Sequence, residues 1–547
     1  MSEITLREAL SVLSRSSPFA VSTVSQRTRD AFDNLKEYLF VEQEIETDFT
    51  RTLDSLQAGE IVFLCGSSGD GKSEILTRHY EKYSSRFHFH LDATHSFSPH
   101  QSAIQALDEL FDKRRSDTRP MVVGINIGML ANFANEGAER HNEIKESVER
   151  FLSGEIDAYQ KPCKDALFYF LNFEYYPKFQ FALKDKSYSV FAKALMKKLT
   201  SQTENNPFYC LAKNDETSKR DTKLVANFKL LSLESVQEVI ITQLFKARLI
   251  KDQFVTTRAL LDLLHYLLLG RGYLFDNLYV GEENELVKRI SEFDPARTHT
   301  AELDQFVLRY ELFLPDTELD EFIIELAARK IHFNRKEAKR GDAASLIRLF
   351  SILCNEQLGN DYHKKYCHQF EESLLQNYAE VWRLHKEYDG GTDMKIALRR
   401  FYTNEFIAAI QRYANRNAPD LSMLKDEIFL GTYGNIKLTA PVEIKGNYEA
   451  ISNKTVPNSV KFMAYLKVFD KTLNPIAISL NLFELIYKLN RGYRPNKYDK
   501  NTIVLLEEIV EQVTELAKSS ASLKFYDGHQ IYIAKQDDDM IAVSGAA

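Results

Sequence analysis

The sequence predicts a mixed α/β protein: an α/β core on a parallel sheet, then a long all-α region, then a C-terminal α+β domain. Three observations predict it. Between residues 59 and 185, short continuous apolar runs bounded by glycine alternate with helical patterns, as expected of strands buried on both faces. From Ser187 to about Asn417 only helical periodicity is present. The last ~125 residues return to alternating apolar patterns with turn signals.

Segment 1–58 reads as a helical arm, with apolar spacing at Ala31, Leu35, Leu39, Phe49, Leu53 and Leu56. Segment 59–185 is the α/β core. Its strands are expected at 61–65, 87–91, 121–125 and 167–173, with helices at 72–82 and 99–113. Segments 186–290 and 291–420 form a helical lid-like region and a helical domain, with helices over 232–250, 256–269, 319–330 and 345–358. Segment 421–547 alternates around Gly431, Gly434 and Pro441, then carries a helix at 501–518 and a hairpin turning at Asp527, Gly528 and His529.

Composition excludes several classes. The chain has 547 residues, 44% hydrophobic and 12% aromatic, which rules out wholesale disorder. Its 21 Gly and 13 Pro rule out fibrous and low-complexity architectures. A net charge of −8 means that nucleic acid is not bound by bulk charge, so any such contact needs a local patch. Cys65, Cys163, Cys210, Cys354 and Cys367 are odd in number and widely spaced, which suits a reducing compartment rather than a disulfide scaffold. His363, Cys367 and His368 lack a fourth ligand at metal-site spacing. The longest apolar stretch, 259–269, is broken by Asp262 and His265 and is far short of the ~20 residues that span a bilayer. A cytoplasmic protein without membrane contact is expected.

One motif carries strong chemistry. Gly66-Ser67-Ser68-Gly69-Asp70-Gly71-Lys72-Ser73 fits G-x-x-x-x-G-K-[ST] throughout, where about 0.007 chance matches are expected from this composition. The glycines let the backbone turn its N–H groups onto phosphates, and the helix beginning near Lys72 aims its positive end at them. Lys72 is expected on the β- and γ-phosphates, Ser73 on Mg²⁺, and Glu74 completes the run. The core is therefore expected to be a P-loop NTPase, AAA+/STAND-like. No N/T-K-x-D guanine signature follows a plausible strand, so ATP is favoured as the nucleotide, with Mg²⁺ as its metal.

The remaining candidates each carry two readings. The third strand ends in Asn126, where a metal-binding carboxylate is usual, so Asp92 is the candidate metal or water ligand; it serves equally as a strand-end cap. Asn126 and Asn172 at strand ends suit orienting an attacking water, or stabilising a buried turn. Arg258, opening an apolar helix behind the core, is similar to the second-sensor arginine on the lid of AAA+-like ATPases, or forms a structural salt bridge. Lys488, Arg491, Tyr493, Arg494 and Lys497 interleave cations with an aromatic, as single-strand and backbone contacts require; a solvated face or a site for an acidic protein is the other reading. A second basic stretch covers 329–340. No nuclease constellation is present.

The run from Cys65 to Glu74, with Val123-Gly124-Ile125-Asn126-Ile127-Gly128-Met129-Leu130 and Asn172-Phe173-Glu174-Tyr175-Tyr176-Pro177-Lys178-Phe179, resembles the DptF family of DNA-phosphorothioation-dependent restriction ATPases. Asn206-Pro207-Phe208-Tyr209 and Phe275-Asp276-Asn277-Leu278 fit the same pattern. The resemblance implies one ATPase subunit of a bacterial antiphage restriction system, acting with the companion proteins DptG and DptH on double-stranded DNA that lacks the sulfur-for-oxygen modification. The alternatives are a nucleotide-gated scaffold with little turnover, and a signalling NTPase that recognises a protein ligand. A homo-oligomer stays open.

Overall fold

The first strand, β1 (Ile61–Gly66), is buried along its whole length and organises the N-terminal part of the protein. The computed structural model describes residues 4–14, 31–91, 101–115, 117–156, 161–181, 188–251, 254–334, 341–419, 426–451, 460–528, 530–537 and 540–546. The chain divides into two compact units, Met1–Glu371 and Glu372–Ala547. That division falls inside the segment 291–420 expected to be one helical domain.

In the first unit, β1 is joined by β2 (His88–His90), β3 (Met121–Asn126), β4 (Cys163–Asp165) and β5 (Phe168–Asn172) in the order β2-β3-β1-β5-β4. The pairs β1–β3, β1–β5 and β2–β3 are parallel, as the crossover helices require, whereas β4 hairpins back antiparallel on β5. Side chains of β1 alternate between two layers. Ile61, Phe63 and Cys65 pack with Phe111, Phe133 and Phe151 from the helices Ala103–Asp112, Ile127–Glu136 and Asn142–Leu152. Val62 and Leu64 pack with Phe49 and Leu53 from Glu44–Ser55, and with Ile75 and Leu76 from Lys72–Tyr83. The sheet is thus covered on both faces, and each fully buried Phe or Leu contributes about 1.5–3 kcal/mol of burial. Gly124 permits the close approach of the Lys72–Tyr83 helix, since a Cβ there would lie 2.5 Å from a Leu76 methyl and 2.7 Å from the Leu91 carbonyl oxygen.

Between residues 188 and 371 the described residues are helical or irregular, as the periodicity predicts. The helices include Val190–Thr200, Pro207–Thr217, Glu234–Lys251, Thr257–Leu269 and Asp342–Leu353. Polar side chains tie them together: the Asn227 amide donates to Leu268 O at 3.0 Å, and Arg348 bridges Asp276 and Asp294 at 2.9 and 2.8 Å. The short helix Leu6–Ala9, capped by Thr5 and Glu8, docks through an Arg7–Asp221 ion pair at 2.7 Å.

The second unit is α+β. β6 (Glu427–Tyr433) and β7 (Ile436–Pro441) form a hairpin, followed by the short strands β8 (Ile444–Gly446), β9 (Phe462–Ala464), β10 (Leu466–Val468), β11 (Lys471–Thr472) and β12 (Ile476–Ile478). β13 (Ser522–Asp527), β14 (Gln530–Asp537) and β15 (Met540–Ala546) complete an antiparallel sheet ordered β15-β14-β13-β7-β6. The helix Lys500–Lys518 and the β13–β14 hairpin stand where the sequence predicts them; β15, one of the sheet's two edge strands, was not expected. Its Met540, Ile541 and Val543 are exposed. The core of this unit gathers His385, Phe401, Tyr402, Phe462 and Phe483, with His385 stacked on Phe462 at 4.3 Å between ring centres. Among the described residues, no helix is long and apolar enough to cross a membrane.

Candidate functional site

The carboxyl ends of three adjacent strands define the site. The parallel register sets Gly66 beside Asn126, and Cys65 beside both Ile125 and Asn172. The chain runs from β1 out to β2, back to β3, and then across to β5 on the other side of β1, so strand order reverses at β1. In open α/β sheets such a reversal leaves a crevice at the carboxyl ends, because the two flanking connections diverge. The loop of residues 66–73 leaves β1 into that place.

The loop's shape follows from its glycines. Gly69 and Gly71 have φ of +84° and +109°, which side chains other than glycine rarely adopt. Gly71 stands before the helix Lys72–Tyr83, and a Cβ on it would meet nothing within 4 Å. The Lys72 ammonium donates to Ser67 O at 2.7 Å and Gly66 O at 3.1 Å, so it lies across the mouth of the loop. Asp70 turns inward, 8% exposed, and its Oδ2 accepts from the Ser67 N–H at 2.7 Å. Its Oδ1 is 3.4 Å from the Lys178 ammonium. Burial pushes the Lys178 amine below its usual pKa, and the Asp70 charge opposes that shift. Burial pushes the Cys65 thiol well up, leaving it protonated and inert beneath the loop.

A second element grips the loop from the helical region. Thr256 caps the helix Thr257–Leu269, the Thr257 hydroxyl donates to Asp70 O at 3.0 Å, and the Arg258 N–H donates to Gly69 O at 3.0 Å. The Arg258 guanidinium pairs with Asp262 at 3.1 Å and donates to Leu13 O. Its backbone therefore faces the loop while its charge is engaged in a salt bridge. Asn172 is 3% exposed and its Oδ1 caps the turn Phe173–Tyr175 by accepting from Glu174 N at 3.1 Å. Asn126 is partly buried at the start of the helix Ile127–Glu136 and makes no side-chain cap. Asp92 lies outside the described residues.

The structure thus brings together Gly66 to Glu74, Asn126, Asn172 and the backbone of Arg258. Sequence reasoning missed Lys178 and Thr257. Lys178 meets Asp70 from 108 positions away, and no local periodicity signals such a pairing.

The other predicted cluster belongs to the second unit. Arg491, Arg494 and Lys497 are exposed beyond the helix Leu480–Asn490. Lys488 pairs with Glu484 at 2.8 Å. The Tyr493 hydroxyl donates to Asp499 at 2.8 Å and Asn496 N–H to the same carboxylate at 2.9 Å, so the basic stretch is a closed loop around Asp499. Of the stretch 329–340, residues 335–340 lie outside the described residues. Among the described residues no group of three or more His, Cys, Asp or Glu is arranged to hold a metal. A cavity of about 720 Å³ between helices of the first unit is lined by Phe306, Tyr310, Tyr362 and Tyr366, and by none of the predicted site residues. No family model, curated protein or solved structure matches the chain.

Proposed function

We propose that the chain is a P-loop ATPase, AAA+/STAND-like in its core, that binds ATP and Mg²⁺ at the loop 66–73. The observation that carries this reading is the pair of positive-φ glycines ahead of Lys72, at the head of a helix and at the strand-order reversal. The open space over Gly71 fits a phosphate group approaching backbone amides. Backbone N–H groups of the loop and Lys72 would hold the phosphates, and the Ser73 hydroxyl would take Mg²⁺. The metal, when bound, supplies charge neutralisation for phosphoryl transfer. Asn126 and Asn172 are the strand-end amides that would orient water, and Asp92 remains the sequence's candidate for the metal or water ligand.

The experiment is phosphate release by the wild type and Lys72→Ala, with and without double-stranded DNA. Turnover lost in the variant supports the ATPase. Turnover retained by Lys72→Ala overturns the site. ATP bound without turnover favours the nucleotide-gated scaffold.

The resemblance to the DptF family supports the wider role: a subunit of a phosphorothioation-dependent restriction system, working with DptG and DptH on unmodified DNA. The exposed Arg491, Arg494 and Lys497 support a backbone contact with that DNA. Cells carrying Lys72→Ala should fail to restrict unmodified DNA; restriction at wild-type efficiency would remove ATP from this role.

A further inference from the structure

We propose that Lys178 is a positioning residue for the loop 66–73, cancelling the charge of Asp70 and holding its carboxylate where it braces the loop from within. The inference rests on the nucleotide reading above. Its starting point is a chemical conflict: a loop built to receive phosphates contains a carboxylate that is largely withdrawn from water. Asp70 Oδ2 accepts the Ser67 N–H at 2.7 Å and would lie only 3.0 Å from a Cβ on Gly66, so it fills the underside of the turn and fixes its width. That brace is useful only if its charge is neutralised, because buried charges are poorly screened and a bare carboxylate there repels an incoming polyphosphate.

Lys178 supplies the neutralisation. Its side chain is 5% exposed, its ammonium is 3.4 Å from Asp70 Oδ1 and lies 5.1 Å from the centre of the Phe173 ring. Burying an ammonium is costly, and Lys178 is held below its usual pKa by that burial, against the pull of Asp70. The backbone on either side is anchored: Ser189 Oγ donates to Lys178 O at 2.5 Å, and Arg248 donates to Phe179 O. The ammonium is therefore delivered to the loop by the start of the helix Val190–Thr200 and by the helix Glu234–Lys251.

The test is titration of the full chain with a fluorescent methylanthraniloyl derivative of ATP in Mg²⁺ buffer. The variants are Lys72→Ala, Lys178→Met, Lys178→Arg, Asp70→Asn and the double variant Asp70→Asn/Lys178→Met. Lys178→Met should weaken binding at least tenfold, and Lys178→Arg should recover most of that loss. Asp70→Asn removes the charge but keeps an oxygen for the Ser67 N–H, so in that background Lys178→Met should cost less than threefold. Binding by Lys178→Met within threefold of wild type overturns the proposal. So does an undiminished loss in the Asp70→Asn background. If Lys178→Met does not fold, the double variant measured against Asp70→Asn alone, with Lys178→Arg measured against wild type, still decides it: a loss of threefold or more in the first comparison overturns the proposal. Wild type and Lys72→Ala that both fail to bind would instead sink the nucleotide reading itself.

Discussion

The backbone N–H of Arg258 donates to the carbonyl oxygen of Gly69 at 3.0 Å. A helix end needs acceptors for its first N–H groups, and here the loop supplies one. In return the Gly69 carbonyl is held outward, toward the helix Thr257–Leu269.

Gly69→Ala tests this contact. A Cβ on Gly69 would lie 2.8 Å from the Cβ of Arg258, in addition to the cost of φ at +84°. We expect a loss of about 1–3 kcal/mol of stability in chemical denaturation, together with weaker nucleotide binding. Gly71→Ala meets open space and should cost only its backbone strain, about 1 kcal/mol. Equal losses at the two positions would mean that the Arg258 contact is not rigid.

Glu46 gives the first unit a pH dependence. Burial raises its carboxyl to about 7, although Arg78 at 3.7 Å pulls the other way. The folded state then binds a proton that the unfolded state has released, so stability falls as pH rises from about 4.5 to 7. Glu46→Gln should be more stable than wild type at pH 8 by about 1–2 kcal/mol, after discount for partial solvation. The advantage should vanish near pH 5. Melting curves of both proteins across that range check it.

His385 acts with the opposite sign in the second unit. Burial lowers its pKa to about 4, and the ring is neutral between Val381 O and the Tyr402 hydroxyl. Below pH 6.5 the unfolded chain takes up a proton that the fold refuses. Stability should therefore decline as pH falls from 6.5 to 4, by up to about 3 kcal/mol. His385→Phe should melt with a shallower acid dependence; an unchanged profile would assign the acid loss elsewhere.

For the basic loop, Arg491→Ala and Arg494→Ala should each lower the slope of log affinity against log salt for duplex DNA by about 1. Lys488→Ala should change it less, because Glu484 already pairs with Lys488 at 2.8 Å. Fluorescence anisotropy at several salt concentrations reads the slopes, and slopes unchanged in all three variants would exclude this loop from DNA contact.

What the sequence discloses is what is local. β1, its loop and the helix after it are continuous in the chain, and their apolar run, glycines and periodicity fall where the elements form. β4 escaped because it has three residues, two of them charged, and exists only by pairing with β5. β15 escaped because its exposed apolar side chains do not alternate with polar ones. Arg258 was legible as the start of an apolar helix behind the core, with a sensor-like role or a salt bridge as its two readings, but its partner Leu13 stands 245 positions away. The Asp70–Lys178 pair is invisible for the same reason: buried ion pairs are set by tertiary packing, which leaves no periodic trace.

β15 also governs how copies of this protein behave toward one another in a tube. Its outer ladder groups have no strand partner among the described residues, and Met540–Ala546 contains neither a charge nor a proline to deter one. The net charge of −8 opposes such encounters, and its reach shrinks to about 10 Å at 0.1 M salt. Concentrated, salty storage should therefore favour edge-to-edge association, and dilute, low-salt buffer should oppose it.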